Sequence, residues 1–181
     1  MSARFLPWLS CLLPLLLSAC STLSEQECRN GDWRAIGYRD GQNGRPLARL
    51  DEHREACTEF GINPNQRAYE EGRERGIAFY CTPTNGLAVG KRGEHYAGVC
   101  PDRSEGSFLN SYEIGRDIYL ARQRLERLEN DQRELEQRLR RADSKDEVRY
   151  LSGQMSRLRM ERDFAWDDLH RREMRADRLR Y

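Results

Sequence analysis

Six cysteines and three histidines carry most of the chemistry this 181-residue chain could offer. Cys11 lies inside the apolar run Phe5 to Leu17, and Cys20 closes Leu17-Ser18-Ala19-Cys20 at the end of it. Cys28, Cys57, Cys81 and Cys100 follow. Structural zinc draws thiolates from closely spaced cysteine pairs, and these four lie much further apart. An even set in a small exported domain forms a disulfide framework, whose connectivity a sequence leaves open. His53 and Cys57 are four apart on an expected helix, which would set two ligands on one face. A cysteine in a disulfide cannot ligate a metal, so those two readings exclude each other. His95-Tyr96 falls in a glycine-rich stretch of the kind that often bears functional residues. Asp32, Asp40 and His95 could form an acid–base set, with Tyr96 adding to a ligand surface. No Gly-x-Ser-x-Gly elbow, His-Glu-x-x-His helix, P-loop or dinucleotide fingerprint accompanies them. No catalytic residue, metal or cofactor is therefore assigned.

The N-terminus gives an address. A basic start, Met1-Ser2-Ala3-Arg4, precedes the apolar run, which is shorter than the ~20 residues a membrane-spanning helix needs. Its length and small-residue exit are those of a cleaved export signal. Leu-Ser-Ala-Cys resembles the lipobox of bacterial lipoproteins, which implies lipidation of Cys20 as the mature N-terminus. Ser21, rather than an aspartate, then favours the outer membrane facing the periplasm. A single acyl chain holds a protein only marginally, while two or more anchor it. Removing Cys11 and Cys20 from the count leaves an even four thiols for disulfides.

Charge bounds the partners. The chain has 31 basic and 30 acidic residues, and loss of Arg4 with the signal balances them. A nucleic-acid binder needs an excess of positive charge over phosphates, so that class is excluded. Charged residues make up 34% and hydrophobic residues 38%, which suits a modest core joined to an extended, solvated helical part.

Two regions must position these residues. From Glu25 to about Gln42, Trp33, Ile36 and Tyr38 recur at helical spacing until Asn43-Gly44-Arg45-Pro46 stops them. A second helix is expected over roughly Leu47 to Phe60, and Asn63-Pro64-Asn65 opens a third that runs to about Tyr80. Thr82 to Val99, with four glycines, reads as irregular loop or a small hairpin. An antiparallel pairing of the first two helices would bring Cys28 near Cys57 and leave Cys81 and Cys100 to clasp the glycine-rich loop; these local pairings are favoured. Tyr38-x-x-Gly41, Tyr69-x-x-Gly72 and Tyr112-x-x-Gly115 recur at unequal separations. A helical glycine costs about 1 kcal/mol against alanine, so close backbone packing, ahead of ligand binding, is the expected reason.

Beyond the turn-like Pro101-Asp102-Arg103-Ser104, the pattern becomes heptad. Ile118, Ala121, Leu125, Leu128, Gln132, Leu135, Leu139 and Ala142 alternate in steps of three and four. Val148, Leu151, Met155, Leu158, Arg162, Ala165 and Leu169 do the same after a break. Ser144-Lys145-Asp146-Glu147 between the blocks matches a capping box. An antiparallel hairpin about residue 143 would set Leu139 against Val148, Gln132 against Met155, Leu125 against Arg162 and Ile118 against Leu169. An intermolecular coiled coil is the rival. Arginine clusters such as Arg140-Arg141 and Arg171-Arg172 read as a solvated face. Tyr119, Phe164 and Trp166 fall off the seam, available to the globular part or to a partner.

Cys28…Gly31-Asp32-Trp33…Gly37-Tyr38-x-Asp40-Gly41-x-x-Gly44 opens a longer pattern. His53-x3-Cys57, Tyr69-x-x-Gly72-Arg73-x-x-Gly76 and Tyr80-Cys81 continue it. Asn85-Gly86, Gly90-x-x-Gly93-x-x-Tyr96-x-Gly98-Val99-Cys100-Pro101 end it. Over residues 25–120 this resembles a family of small proteobacterial lipoproteins known only as a domain of unknown function. The resemblance implies an exported, lipid-anchored protein and carries no catalytic residues.

The expectation is a mainly α protein: residues 1–19 a signal peptide, 20–26 a lipidated tether, 27–104 a disulfide-stapled helical domain with a glycine-rich loop, and 105–181 a long antiparallel helical hairpin. Functionally it is a non-enzymatic scaffold or protein-binding lipoprotein, held to the membrane through Cys20 and meeting an envelope protein through the hairpin. The alternatives are a ligand-binding or hydrolytic module at the glycine-rich loop, and direct cell-wall binding.

Overall fold

The computed structural model describes residues 21–178, so Cys20 and the expected signal segment lie outside the described residues. Seven α-helices and no strand are found among the described residues. They are α1 (Glu25–Asn30), α2 (Trp33–Gln42), α3 (Arg49–Thr58), α4 (Gln66–Tyr80), α5 (Pro83–Lys91), α6 (Asp102–Arg141) and α7 (Lys145–Arg178). None of them is long and apolar enough to cross a membrane.

Local signals set most boundaries. Ser24 and Glu27 form a capping box at the start of α1, each side chain accepting from the other's backbone N–H. The single helix expected over Glu25 to Gln42 is broken in two. Gly31 takes φ +64° to end α1, and Asp32 accepts from the Ala35 N–H to start α2. The stretch from Thr82 is helical rather than irregular: Thr82 caps α5, Pro83 occupies its first turn, and Gly86 and Gly90 lie inside it.

Those glycines are there for contact. A Cβ on Gly86 would lie 2.4 Å from the Phe108 carbonyl oxygen, and one on Gly90 would lie 2.1 Å from that of Tyr112. In return, a Cβ on Gly115 would meet the Leu87 carbonyl oxygen at 2.3 Å. The same interlock joins α2 to α4. Gly37 abuts the Tyr69 carbonyl, Gly41 that of Arg73, Gly72 that of Arg34 and Gly76 that of Tyr38. Contacts advance together along both helices of each pair, so α2 runs parallel to α4 and α5 parallel to α6. Glycines four apart let two helix backbones approach where any side chain would hold them off. This corrects the expected α2–α3 hairpin: the main partner of α2 is α4, and α3 is part of the crossover between them.

The two pairs are versions of one unit. Gly37-x3-Gly41-x2-Gly44 recurs as Gly86-x3-Gly90-x2-Gly93. The last glycine of each has φ above +60° and lies against a tyrosine ring on the second helix, Tyr80 for Gly44 and Tyr119 for Gly93. A disulfide ties the starts of each unit, Cys28–Cys57 before α2 and α4, and Cys81–Cys100 before α5 and α6. Each unit has its own core. Leu23, Trp33, Ile36, Leu50 and Tyr69 surround the first disulfide; Ile77, Tyr80, Val89, Phe108 and Tyr112 surround the second.

Helix α6 belongs to both regions. Its first turns complete the second unit, so the break expected after residue 104 falls inside one continuous helix of 40 residues. Beyond the unit, α6 turns at Ala142–Ser144 and packs antiparallel on α7. Ile118, Ala121, Leu169 and Ala176 form the seam near the domain, and Leu135, Leu151 and Met155 form it near the tip. Ser144 accepts from the Glu147 N–H at the start of α7. Two details depart from the expected facing pairs. Arg162 Nη1 donates to Gln132 Oε1 at 3.0 Å, so the two polar seam residues meet each other. Val148, expected opposite Leu139, is 41% exposed. Asp163 pairs with the Arg162 charge, and Gln132 supplies a further acceptor from across the seam.

Candidate functional site

Four segments meet around one buried carboxylate–imidazole pair. α2 turns Asp40 inward beside Gly41, α3 supplies His53, α4 supplies Tyr69, and the chain leading into α1 supplies Thr22. His53 Nε2 lies 2.7 Å from Asp40 Oδ2, and the Tyr69 hydroxyl donates to the same oxygen at 2.8 Å. Thr22 Oγ1 lies 2.7 Å from His53 Nδ1. His53 is 1% exposed and Tyr69 is fully buried.

Protonation follows from the partners. A carboxylate only accepts, so His53 Nε2 carries the proton it donates to Asp40, and Thr22 Oγ1 closes the chain of bonds at Nδ1. Burial pushes the Asp40 carboxyl up, but hydrogen bonds from His53 and Tyr69 outweigh it, and Asp40 ionises below its ordinary value. Burial first, then the hydrogen bond to Asp40, pushes the Tyr69 hydroxyl well above the ordinary phenol range.

A hydroxyl, an imidazole and a carboxylate in series is the order that activates a hydroxyl nucleophile. Here the ring is sealed inside the domain, and one carboxylate oxygen is shared between two donors. The chain of bonds fastens Thr22 to α2, α3 and α4. Leu23, 2% exposed, packs into the first core beside it.

The residues singled out from the sequence are dispersed. Asp32 is the exposed cap of α2, Asp40 is buried, and His95 is exposed after α5; no hydrogen bond joins the three among the described residues. Tyr96 holds its own loop closed. Its hydroxyl donates to Glu105 Oε1 at 2.8 Å and accepts from the Cys100 N–H at 2.9 Å, with the ring packed on Phe108. Burial and the Glu105 carboxylate push its hydroxyl up to about 12, against the lowering effect of the Cys100 N–H. Cys57 is in a disulfide, so the His53–Cys57 ligand pair does not form. A cleft of about 620 Å³ beside the second disulfide is lined by Arg73, Glu74, Ile77, Val99, Asp102 and Arg103 among others, none of them a residue of the expected acid–base set.

The hairpin presents a different kind of surface. On α7, Tyr150 is 61% exposed, Met160 55%, Phe164 71%, Trp166 55% and Met174 47%. Trp166 stacks on His170, with ring centroids 5.4 Å apart. Tyr119, by contrast, lies against Gly93 in the second unit. Exposed large apolar groups gathered on one element mark contact surfaces more often than isolated ones do.

No curated protein and no solved structure matches the chain. Residues 32–117 match the family described as "Protein of unknown function (DUF2799)", a span that runs from the cap of α2 through both glycine-interlocked helix pairs.

Proposed function

We propose that the protein is a non-enzymatic scaffold, anchored through lipid on Cys20 to the outer membrane, which presents the α6/α7 hairpin to a protein partner in the envelope. The observation that carries this reading is the outer face of α7, where Tyr150, Met160, Phe164 and Met174 stand in solvent on a helix already packed on its other side. A helix stabilised only by its own hairpin has no need of these side chains there, and a partner would take their remaining apolar surface out of water. The interlocked domain supports the reading as a rigid base. Thr22 and Leu23 clamp the chain two and three residues beyond Cys20, which holds the base close to the anchor.

The test uses the full-length chain in cells. Met160→Asp with Phe164→Asp should abolish crosslinked partner adducts while leaving helix content and both disulfides unchanged; undiminished adducts would sink the reading. Cys20→Ala should release the protein from the membrane fraction, and retention there would remove the lipid anchor from the account.

A further inference from the structure

We infer that the partner of the α7 outer face is a second copy of the same chain, paired antiparallel across a two-fold axis at residue 162. This deepens the scaffold reading and rests on its claim that the face is a contact surface.

The argument starts from spacing. Tyr150, Gly153, Arg157, Met160, Phe164, Asp167, Arg171 and Met174 follow one another in steps of three and four, a second heptad stripe distinct from the one that packs on α6. All eight are exposed. The steps read the same from either end, so the stripe can face its own copy run backwards, as an isologous contact requires.

The side chains agree with that register. Phe164 meets Met160 of the second copy on both sides of the axis, and Tyr150 meets Met174, which makes four aromatic–thioether layers. Arg157 falls opposite Asp167, giving two opposed-charge pairs. Neither residue forms an ion pair within the chain among the described residues, whereas Asp146, Arg149, Arg162, Asp163, Asp168, Arg171 and Arg172 do. Arg171 falls opposite Gly153. A Cβ on Gly153 would have nothing within 4 Å, so this mid-helix glycine has no packing role inside one chain. Opposite a second copy, it makes room for the arginine stem. Along the edges, Arg175 faces Glu147 and Arg149 faces Asp177. Glu161 and Asp163 each meet their own copy at the solvent-exposed axis, which limits affinity. With the axis along the membrane normal, both anchored N-termini lie at the same height.

The experiment uses full-length protein in cells carrying two differently tagged copies, with photoreactive p-benzoylphenylalanine replacing Phe164 in one of them. Self-pairing gives an adduct bearing both tags. Arg157→Glu or Asp167→Arg placed in both copies should each lower that adduct about tenfold, by setting like charges face to face. Arg157→Glu with Asp167→Arg should restore it, because the pairs re-form with signs exchanged. A two-tag adduct indifferent to single reversal, or not restored by the double exchange, would overturn the register. An adduct with a different protein alone would overturn self-pairing while leaving the contact-surface reading intact. No adduct with any protein would overturn both.

Discussion

Gly72→Ala sets two opposed effects against each other at a single methyl group. Alanine is favoured over glycine in a helix interior by about 1 kcal/mol. At this site the new Cβ would lie 2.0 Å from the Arg34 carbonyl oxygen, 2.8 Å from its carbon and 3.0 Å from the Tyr38 nitrogen. All three are backbone atoms, so no rotamer change relieves the overlap. An ordinary contact needs more than 3.4 Å, so α2 and α4 must separate by more than an ångström. That separation also loosens the contacts at Gly37, Gly41 and Gly76 and pulls on the Tyr69–Asp40 hydrogen bond. Overpacking of this kind costs about 1–3 kcal/mol and sometimes more, so after the helix gain of about 1 kcal/mol a net loss of up to ~2 kcal/mol is expected. Gly106→Ala is the matched control, since it lies in α6, is exposed and has nothing within 4 Å. It should gain up to ~1 kcal/mol. Urea unfolding of both variants measures the difference as a shift in midpoint at constant slope. If Gly72→Ala were as stable as Gly106→Ala, the interlock would be refuted as the organising contact of the domain.

Three further outcomes are expected. Asp40 ionises below its ordinary value in the fold, so its stabilising effect is complete above the unfolded value near 3.9 and fades as pH falls through the lower folded value. Wild type should therefore lose stability more steeply below about pH 4 than Asp40→Asn, which should already be destabilised at pH 7 by about 1–3 kcal/mol; parallel pH profiles in chemical unfolding would contradict this. Cys28→Ala with Cys57→Ala, and separately Cys81→Ala with Cys100→Ala, should each cost roughly 3–4 kcal/mol by loop closure, measured by thermal unfolding, with each loss centred on its own unit's core. Tyr96→Phe should loosen the loop between α5 and α6, seen as faster amide exchange at Cys100, and should remove one late step near pH 12 from the ultraviolet titration of the tyrosines.

How much of this was legible in the sequence depended on the distance over which each contact acts. The hairpin was, because a helix seam repeats every few residues and Ser144 marks the turn. The meeting of Arg162 with Gln132 was not, because the end of a long side chain bonds beyond its facing position. Helix α5 was missed since glycine normally interrupts helices. Gly86 and Gly90 are affordable only because α6 lies against them, and nothing local announces α6. A signal was present even so: Gly-x3-Gly-x2-Gly occurs twice and marks two copies of one unit, where the recurring Tyr-x-x-Gly pointed only to the packing. The Asp40–His53–Tyr69 cluster joins residues from three helices. Its one local hint was His53 sharing a helix face with Leu50 and Cys57, the inward face, on which a histidine needs a polar partner. The expected export signal and lipidation of Cys20 rest on the N-terminal sequence, and the described residues begin just beyond them.

Three methionines on α7 allow the contact surface to be measured without knowing what covers it. Met155 is 4% exposed in the seam, while Met160 and Met174 are 55% and 47% exposed on the outer face. Oxidative footprinting of intact cells, compared with dilute purified protein, should show Met160 and Met174 protected in cells and oxidised in the purified protein, with Met155 protected in both. Equal oxidation of Met160 and Met174 in the two samples would contradict the claim that the hairpin's outer face is where this protein meets a partner.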